Sequence, residues 1–294
     1  MDGSPVEKPK LSAEERRSRK AERRARQRAA NAMRAEKMHK ARLADTDIRS
    51  AVSNPPALNI ACSGWFYWDW RSKFYPTLMP TKEWFPYYMD HFDTVELNAP
   101  FYSWPTVNTV KTWLRQAEGR DFVYTVKACE LITHIRQFEA VKGLVEDFGY
   151  IADLLGERMG CFLFQFPPSF HYSPEKLERI VSQLDHGRRN VVEFRHESWW
   201  NEEVYTAFRV NGTIFCTCSG PKLPDDMIRT ADDVYIRFHG PEKWYCYDYS
   251  DAELADWATR IKASGAKRIW AYFNNDYGAN AVRNAKVLAK LLSA

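Results

Sequence analysis

Eight short apolar runs separated by helix-period segments predict a (β/α)8 barrel of the TIM type. The runs lie at 59–63, 94–98, 122–128, 161–166, 191–196, 213–219, 234–239 and 268–274. Strand and helix patterns that alternate in this way mark parallel βαβ units. An open doubly wound sheet is the competing layout, and eight repeats favour closure. The runs also turn polar toward their ends, which a barrel gathers on the rim where active sites sit. The division expected is a basic tail over 1–56, partly helical and partly disordered, then a barrel over 57–294.

The tail comes first. Its opening ten residues carry Pro5 and Pro9 and read as disordered. From Ser12 the chain turns to Arg, Ala, Glu and Gln, all strong helix formers, and Ser12 with Glu15 makes an S-x-x-E capping box. Large apolar residues are missing until Met33, Met38 and Leu43. A helix with so little to bury is expected to project from the body. Asn54, Pro55 and Pro56 end it.

Helix marks follow the runs. Thr106 opens a segment in which Val110, Trp113 and Leu114 share a face. Ser173–Pro174 puts proline in a first helical turn. Ser250 and Glu253 form another capping box, Leu254, Trp257 and Ile261 follow at helical spacing, and Gly265 stands where a C-cap belongs. The stretch between the sixth and seventh runs, P-K-L-P-D-D-M-I-R-T-A-D-D, is too broken for a regular helix, so that unit is expected to lack one.

The formal net charge of +4 conceals an asymmetry. Residues 1–50 hold 15 Lys and Arg against 8 Asp and Glu; the rest hold 27 against 30. The basic character belongs to the tail. The six cysteines form no CxxC pair, and Cys216 and Cys218 should share one face of a strand. A charged start without an apolar core, together with free thiols, suggests a reduced, cytoplasmic protein. No run approaches the length of a membrane span. No P-loop, no G-x-G-x-x-G after a strand and no G-x-S-x-G elbow occurs, so ATPase, dinucleotide dehydrogenase and α/β-hydrolase readings have no support.

The run ends supply the candidate site. They carry Ser63 and Gly64, Glu96 and Asn98, Lys127, Gln165, Glu193 with Arg195 and His196, Arg237 with His239, and Asn274, Asn275 and Asp276. One polar residue at a strand end is commonly a loop-boundary hydrogen bond. Charges alternating with apolar neighbours, as at Glu96 and Glu193, must face inward, where an unpaired charge costs several kcal/mol. They must form a paired network, a ligand site, or both.

The motifs along these runs resemble the DUF72, or YecE-like, proteins. C-S-G-W-F-Y-W-D-W-R-S-K-F-Y-P (62–76), T-V-E-L-N-A-P-F-Y (94–102), V-K-A (126–128), I-T-H (132–134) and F-Q-F-P-P-S-F (164–170) come in the family's order. V-E-F-R-H-E-S-W (192–199), Y-I-R-F-H-G (235–240), Y-F-N-N-D (272–276) and A-V-R-N-A (281–285) continue it. The resemblance covers roughly 59 to 294 and implies a TIM barrel, but no activity. The chain departs from it in the tail before Asn59. It departs again at Ala279, where a glycine is expected, with Gly278 one residue early.

The chemistry these residues support is acid–base work, of hydrolase or isomerase type, on a small polar, anionic compound such as a phosphate, sugar or nucleotide. Glu96 and Glu193 are the candidate acid and base, His239 a proton shuttle, and Lys127, Arg195 and Arg237 anion holders. Lys127 is expected to sit in an ion pair with a carboxylate, with a Schiff base as a variant. Asn98, Gln165, His196, Asn274, Asn275 and Asp276 would line the site. Trp65 and Tyr102, with Tyr67, Trp68, Trp70 and Trp104, would offer rings for stacking or simply pack under loops. A divalent metal on Glu96, Glu193, His196 and His239 is a variant without tight ligand spacing. The alternative class is a non-catalytic ligand- or nucleic-acid-binding protein that uses the basic helix.

Overall fold

Strands buried on both faces must satisfy every backbone group within the sheet, and this chain does so by closing it. A computed structural model describes residues 12–46 and 53–294. The expected disorder of the first ten residues therefore lies outside the described residues. Eight parallel strands, β1 (Leu58–Cys62), β2 (Thr94–Leu97), β3 (Val123–Lys127), β4 (Met159–Gln165), β5 (Asn190–Glu193), β6 (Ile214–Ser219), β7 (Asp233–Phe238) and β8 (Arg268–Phe273), follow the order β1-β8-β7-β6-β5-β4-β3-β2. The sheet wraps into a nearly closed TIM barrel with β1 and β2 at the seam. A tyrosine bridges that seam: the Cys62 N–H donates to Tyr88 Oη at 3.1 Å, and Tyr88 Oη donates to the Thr94 carbonyl at 3.3 Å.

The helices are α2 (Trp84–Met89), α3 (Ala99–Tyr102), α4 (Val107–Gln116), α5 (Lys142–Leu155), α6 (Pro174–Gln183), α7 (Glu202–Asn211), α8 (Asp251–Ala263) and α9 (Asn280–Ser293), after an amino-terminal α1 (Ala13–Ala44). The expected caps form at Ser12, Thr106, Ser173 and Ser250. Residues 220–232 contain no helix, as their composition predicts. Thr230 pins that link, accepting from the Phe215 N–H and donating to the Thr213 carbonyl.

Inside the barrel, side chains stack in layers. Near the amino-terminal end Asp233 accepts from Trp270 Nε1 at 3.0 Å and pairs with Arg189 at 3.0 Å. Gly160 faces this layer, where a Cβ would stand 2.8 Å from Thr125 Oγ1 and 3.0 Å from the Trp270 ring. Above it, Tyr272 Oη meets Thr94 at 2.7 Å and Thr125 at 3.0 Å. The charged residues form the layer above that.

Helix α1 only half meets its expectation. Residues 14–26 are exposed, but Asn31, Ala35 and Met38 are buried against the barrel. His39 and Arg42 both reach Asp147 of α5, at 3.0 and 2.9 Å. The docking stripe holds one large apolar residue, Met38, and is otherwise small or polar, so hydrophobic patterning alone gives it little signal. Met33 and Leu43 remain exposed.

Candidate functional site

Alternation along β7 determines what reaches the carboxyl-terminal mouth. Tyr235 and Arg237 point inward between outward-facing Val234, Ile236 and Phe238, and His239 follows at the strand end. Arg237 is completely buried. Its Nε and Nη2 donate to Glu96 of β2 at 3.0 and 2.5 Å, and its Nη1 donates to Glu193 of β5 at 2.7 Å. Tyr235 Oη also donates to Glu96, at 2.5 Å. Arg195 donates to the other oxygen of Glu193, and its Nη2 lies 3.0 Å from His239 Nε2. Trp244 covers the Arg195 guanidinium at 4.5 Å.

This network changes the roles expected of its members. Burial alone would raise the Glu193 carboxyl, but Arg195 and Arg237 overcome it and hold the group well below the usual range. Glu96 and Glu193 are thus bound into one ion-paired frame around Arg237, and Glu193 has no proton to give near neutrality. Burial, reinforced by Arg195, pushes His239 well down, so its imidazole is neutral; Asn274 Nδ2 lies 3.3 Å from its Nδ1.

Lys127 at the end of β3 departs further from expectation. No carboxylate pairs with it among the described residues. Its Nζ donates to Gln165 Oε1 at 2.9 Å and lies 4.3 Å from the centre of the Phe101 ring. Burial, with Arg237 adding to it, pushes the ammonium down to about 7. His134, whose ring meets Phe101 at 4.8 Å, is pushed down to about 4, mainly by burial and then by Lys127.

The opposite side of the mouth, beyond the ends of β8, β1 and β2, is built mainly of amides and hydroxyls. The Ser63 carbonyl accepts from Tyr67 Oη at 2.5 Å and from Asn98 Nδ2 at 3.3 Å. Ser63 Oγ, Asn98 Oδ1 and Asp276 Oδ1 are shielded from solvent yet have no hydrogen-bond partner among the described residues. Burial pushes the Asp276 carboxyl up to about 8. Polar atoms of this kind on neighbouring strand ends are satisfied by ordered water or by a ligand, with Tyr67 also beside the Asp276 carboxyl.

The mouth therefore collects Glu96, Asn98, Lys127, Gln165, Glu193, Arg195, Arg237, His239, Asn274 and Asp276. Four expected members lie elsewhere. His196 stacks on His171 at 3.8 Å and bonds Ser198, because the turn after β5 carries it outward. Asn275 donates to Tyr247 and Asn284, tying the last loop to α9. Trp65 packs on Phe85 at 4.4 Å, under α2. Tyr102 is exposed and touches Phe101 by its edge, so it borders the site without lining it. Ser63 and Tyr67, which the sequence pointed to, border the site, while Tyr235, His134 and Trp244 are neighbours to which the sequence assigned no role. Inward alternation with Arg237 was the available signal for Tyr235.

A metal fits poorly. Donor atoms of Glu193, Cys218 and His239 lie within 4.8 Å of one another. Two guanidiniums already occupy Glu193 and one sits on His239 Nε2, so a dication would displace hydrogen bonds and face two fixed positive charges. Glu96 is held by Arg237 and Tyr235, and His196 is remote, which removes the set the sequence suggested. A groove of about 800 Å³ at the other end of the barrel, lined by Arg189, Arg229 and Asp233, opens away from these groups.

Fold and site together define a TIM-barrel protein with a buried, ion-paired charge cluster at its carboxyl-terminal mouth. The model of the protein family of unknown function DUF72 matches residues 59–294, and the chain belongs to that family. It is 26% identical over 261 residues to UPF0759 protein YunF of Bacillus subtilis, a match spanning 76% of this chain and 92% of that protein. A DUF72 family structure from Thermotoga maritima superposes with a TM-score of 0.74 at 29% identity, covering 81% of this chain and all of that one. One from Enterococcus faecalis gives 0.68 at 19% identity over 81% and 95% of the two chains, a likeness of fold. Among the described residues, no helix is long and apolar enough to cross a membrane.

Proposed function

We propose that this protein is an acid–base enzyme, of hydrolase or isomerase type, that acts on a small polar anion at the barrel mouth, with Lys127 as its proton-transfer group. The observation that carries the reading is the environment of Lys127. It is buried in the positive field of Arg237 and Arg195, with a neutral amide and a ring face as partners. Such an amine exchanges its proton near neutral pH, where general acid–base catalysis is most effective. The two glutamates serve as the frame that fixes Arg237 and Arg195. Asp276, protonated below about pH 8, supplies the complementary acid. An anionic group of the substrate would sit toward Lys127 and Arg195. Its hydroxyls would meet Ser63, Asn98 and Asp276, whose free atoms call for such partners.

Ligand-induced stabilisation tests this. Wild-type protein and Lys127→Met are melted at pH 7 with inorganic phosphate, citrate, hexose phosphates and nucleoside monophosphates, each beside its neutral counterpart. A ligand at 100 times its Kd adds about 2.7 kcal/mol. At least one anion should raise the wild-type midpoint by several degrees, leaving Lys127→Met unmoved. If no anion shifts the wild type, or both proteins shift equally, the reading is wrong.

A further inference from the structure

We infer that the amino-terminal half of α1 is an arm that grips the phosphate backbone of a nucleic acid and holds it across the barrel mouth. The helix is anchored at the rim. Asn31 Nδ2 donates to the Tyr102 carbonyl at 3.1 Å, its Oδ1 accepts from the Trp104 N–H at 3.0 Å, and Arg34 donates to Ser103 Oγ at 2.7 Å. These partners belong to the link after β2, whose Phe101 lies under Lys127. Arg28 reaches Glu130, after β3, at 3.8 Å. Farther along, α1 descends beside α5 through Asp147. The other half must therefore leave the barrel at its carboxyl-terminal end. The 18 residues back to Ala13 span roughly 27 Å at 1.5 Å each.

Most cations of this arm crowd one side. At about 100° per residue, Arg16, Arg17, Lys20, Arg23, Arg24 and Arg28 fall within about 90° of the stripe that docks through Asn31, Ala35 and Met38. Glu15 and Glu22 fall on the far side, together with Arg19 and Arg26. The face that packs on the barrel lower down thus continues upward as a cationic face turned toward the mouth. Arg17, Lys20, Arg23 and Arg24 have no ion-pair partner among the described residues. Glu15 and Glu22 stand at i, i+4 from Arg19 and Arg26, so these acids sit away from the four cations.

The composition selects the partner. Seven of the eight cations over 13–28 are arginine, whose planar fork bonds phosphate through two parallel contacts. The same stretch has no apolar side chain larger than alanine, so it has nothing to insert into a lipid surface. Beyond residue 50 the chain carries 27 basic against 30 acidic residues, so a polyanion is attracted to the arm and to the cations of the mouth, and not to the body at large. A phosphate chain long enough to follow the arm would bring one of its residues to Lys127. This names a substrate class for the proposed site, although the grip itself does not depend on chemistry there.

Fluorescence anisotropy on the full chain decides it. The probes are a 20-nucleotide single-stranded RNA, the matching DNA and an RNA duplex, beside poly-glutamate and phosphatidylserine vesicles. The variant replaces Arg17, Lys20, Arg23 and Arg24 by Gln. Wild type should bind at least one nucleic acid with log K falling linearly in log salt. The variant should lose about tenfold or more, and its slope should shrink by roughly three. Equal binding by both proteins, or poly-glutamate or vesicles bound as tightly as nucleic acid, overturns the inference. RNA carrying 4-thiouridine should cross-link to α1 and to residues 99–103 or 130–135; cross-links confined to the amino-terminal face of the barrel would also overturn it. Lys127→Met removes one cation of the mouth and none of the arm, so it should keep most of its nucleic-acid affinity, and failure of the arm and failure of the catalytic reading are told apart.

Discussion

Replacing Arg237 by Met tests whether the ion-paired frame holds the mouth together. The substitution keeps most of the side chain's length and removes three charge-assisted hydrogen bonds, two to Glu96 and one to Glu193, all completely buried. Removing one partner of a buried ion pair costs about 3–5 kcal/mol, because the other charge is stranded. Here two carboxylates lose their shared cation. Glu96 keeps Tyr235 and Glu193 keeps Arg195, which places the expected loss near 4 kcal/mol and not at twice the single-pair figure. That is a large part of the about 5–15 kcal/mol available to a domain. Urea denaturation at pH 7 measures it. The double variant Glu96→Gln, Arg237→Met should recover about half, since a neutral amide costs less to strand than a carboxylate. The pH dependence has a definite sign. The wild-type Glu193 carboxyl is depressed, so its contribution is complete above the unfolded pKa of about 4.3 and fades as pH falls through the folded value. The gap between wild type and variant should therefore be widest near neutrality and narrow toward acid. A loss below about 1 kcal/mol, or a double variant no better than the single one, refutes the reasoning.

Other perturbations probe separate parts of the fold. Asp276→Asn should stabilise the protein at pH 8 and leave it unchanged at pH 4: a carboxyl raised to about 8 by burial makes the wild type progressively less stable as pH rises between its unfolded and folded values, which paired melts at the two pH values would reveal. Tyr88→Phe removes the hydroxyl that bridges β1 and β2 and should cost about 1–3 kcal/mol, with faster hydrogen exchange at the Cys62 amide; unchanged exchange would show that the seam does not depend on it. Ala279 sits at φ 66°, where alanine is strained, so Ala279→Gly should raise stability by about 0.5–1 kcal/mol in thermal denaturation, against the usual direction of a glycine substitution.

Strand and helix positions were legible because each depends on local pattern: apolar runs such as 234–239 and capping boxes such as Ser250–Glu253 carry their own signal within a few residues. Position at the rim was legible too, since a parallel barrel puts every strand end on one face, and that alone brought Glu96, Lys127, Glu193 and Arg237 together. What each group does there was not legible. Lys127 meets Gln165 and the Phe101 ring where a carboxylate was expected, because Arg237 takes both glutamates; which cation wins depends on side-chain reach across β2, β5 and β7. His196 and Asn275 stand one residue from true members and turn outward, a difference of one position that only the local backbone path after each strand decides. The docking of α1 was hidden for a related reason: its stripe is Asn31, Ala35 and Met38, and the hydrogen bonds that anchor it exist only once the link after β2 is folded. Sequence by itself thus determined the barrel and the inventory at its mouth, through periodicity and strand polarity. Tertiary structure alone decided the pairing, and with it which groups keep a mobile proton, since charge and burial at a point in space are sums over residues distant in the chain.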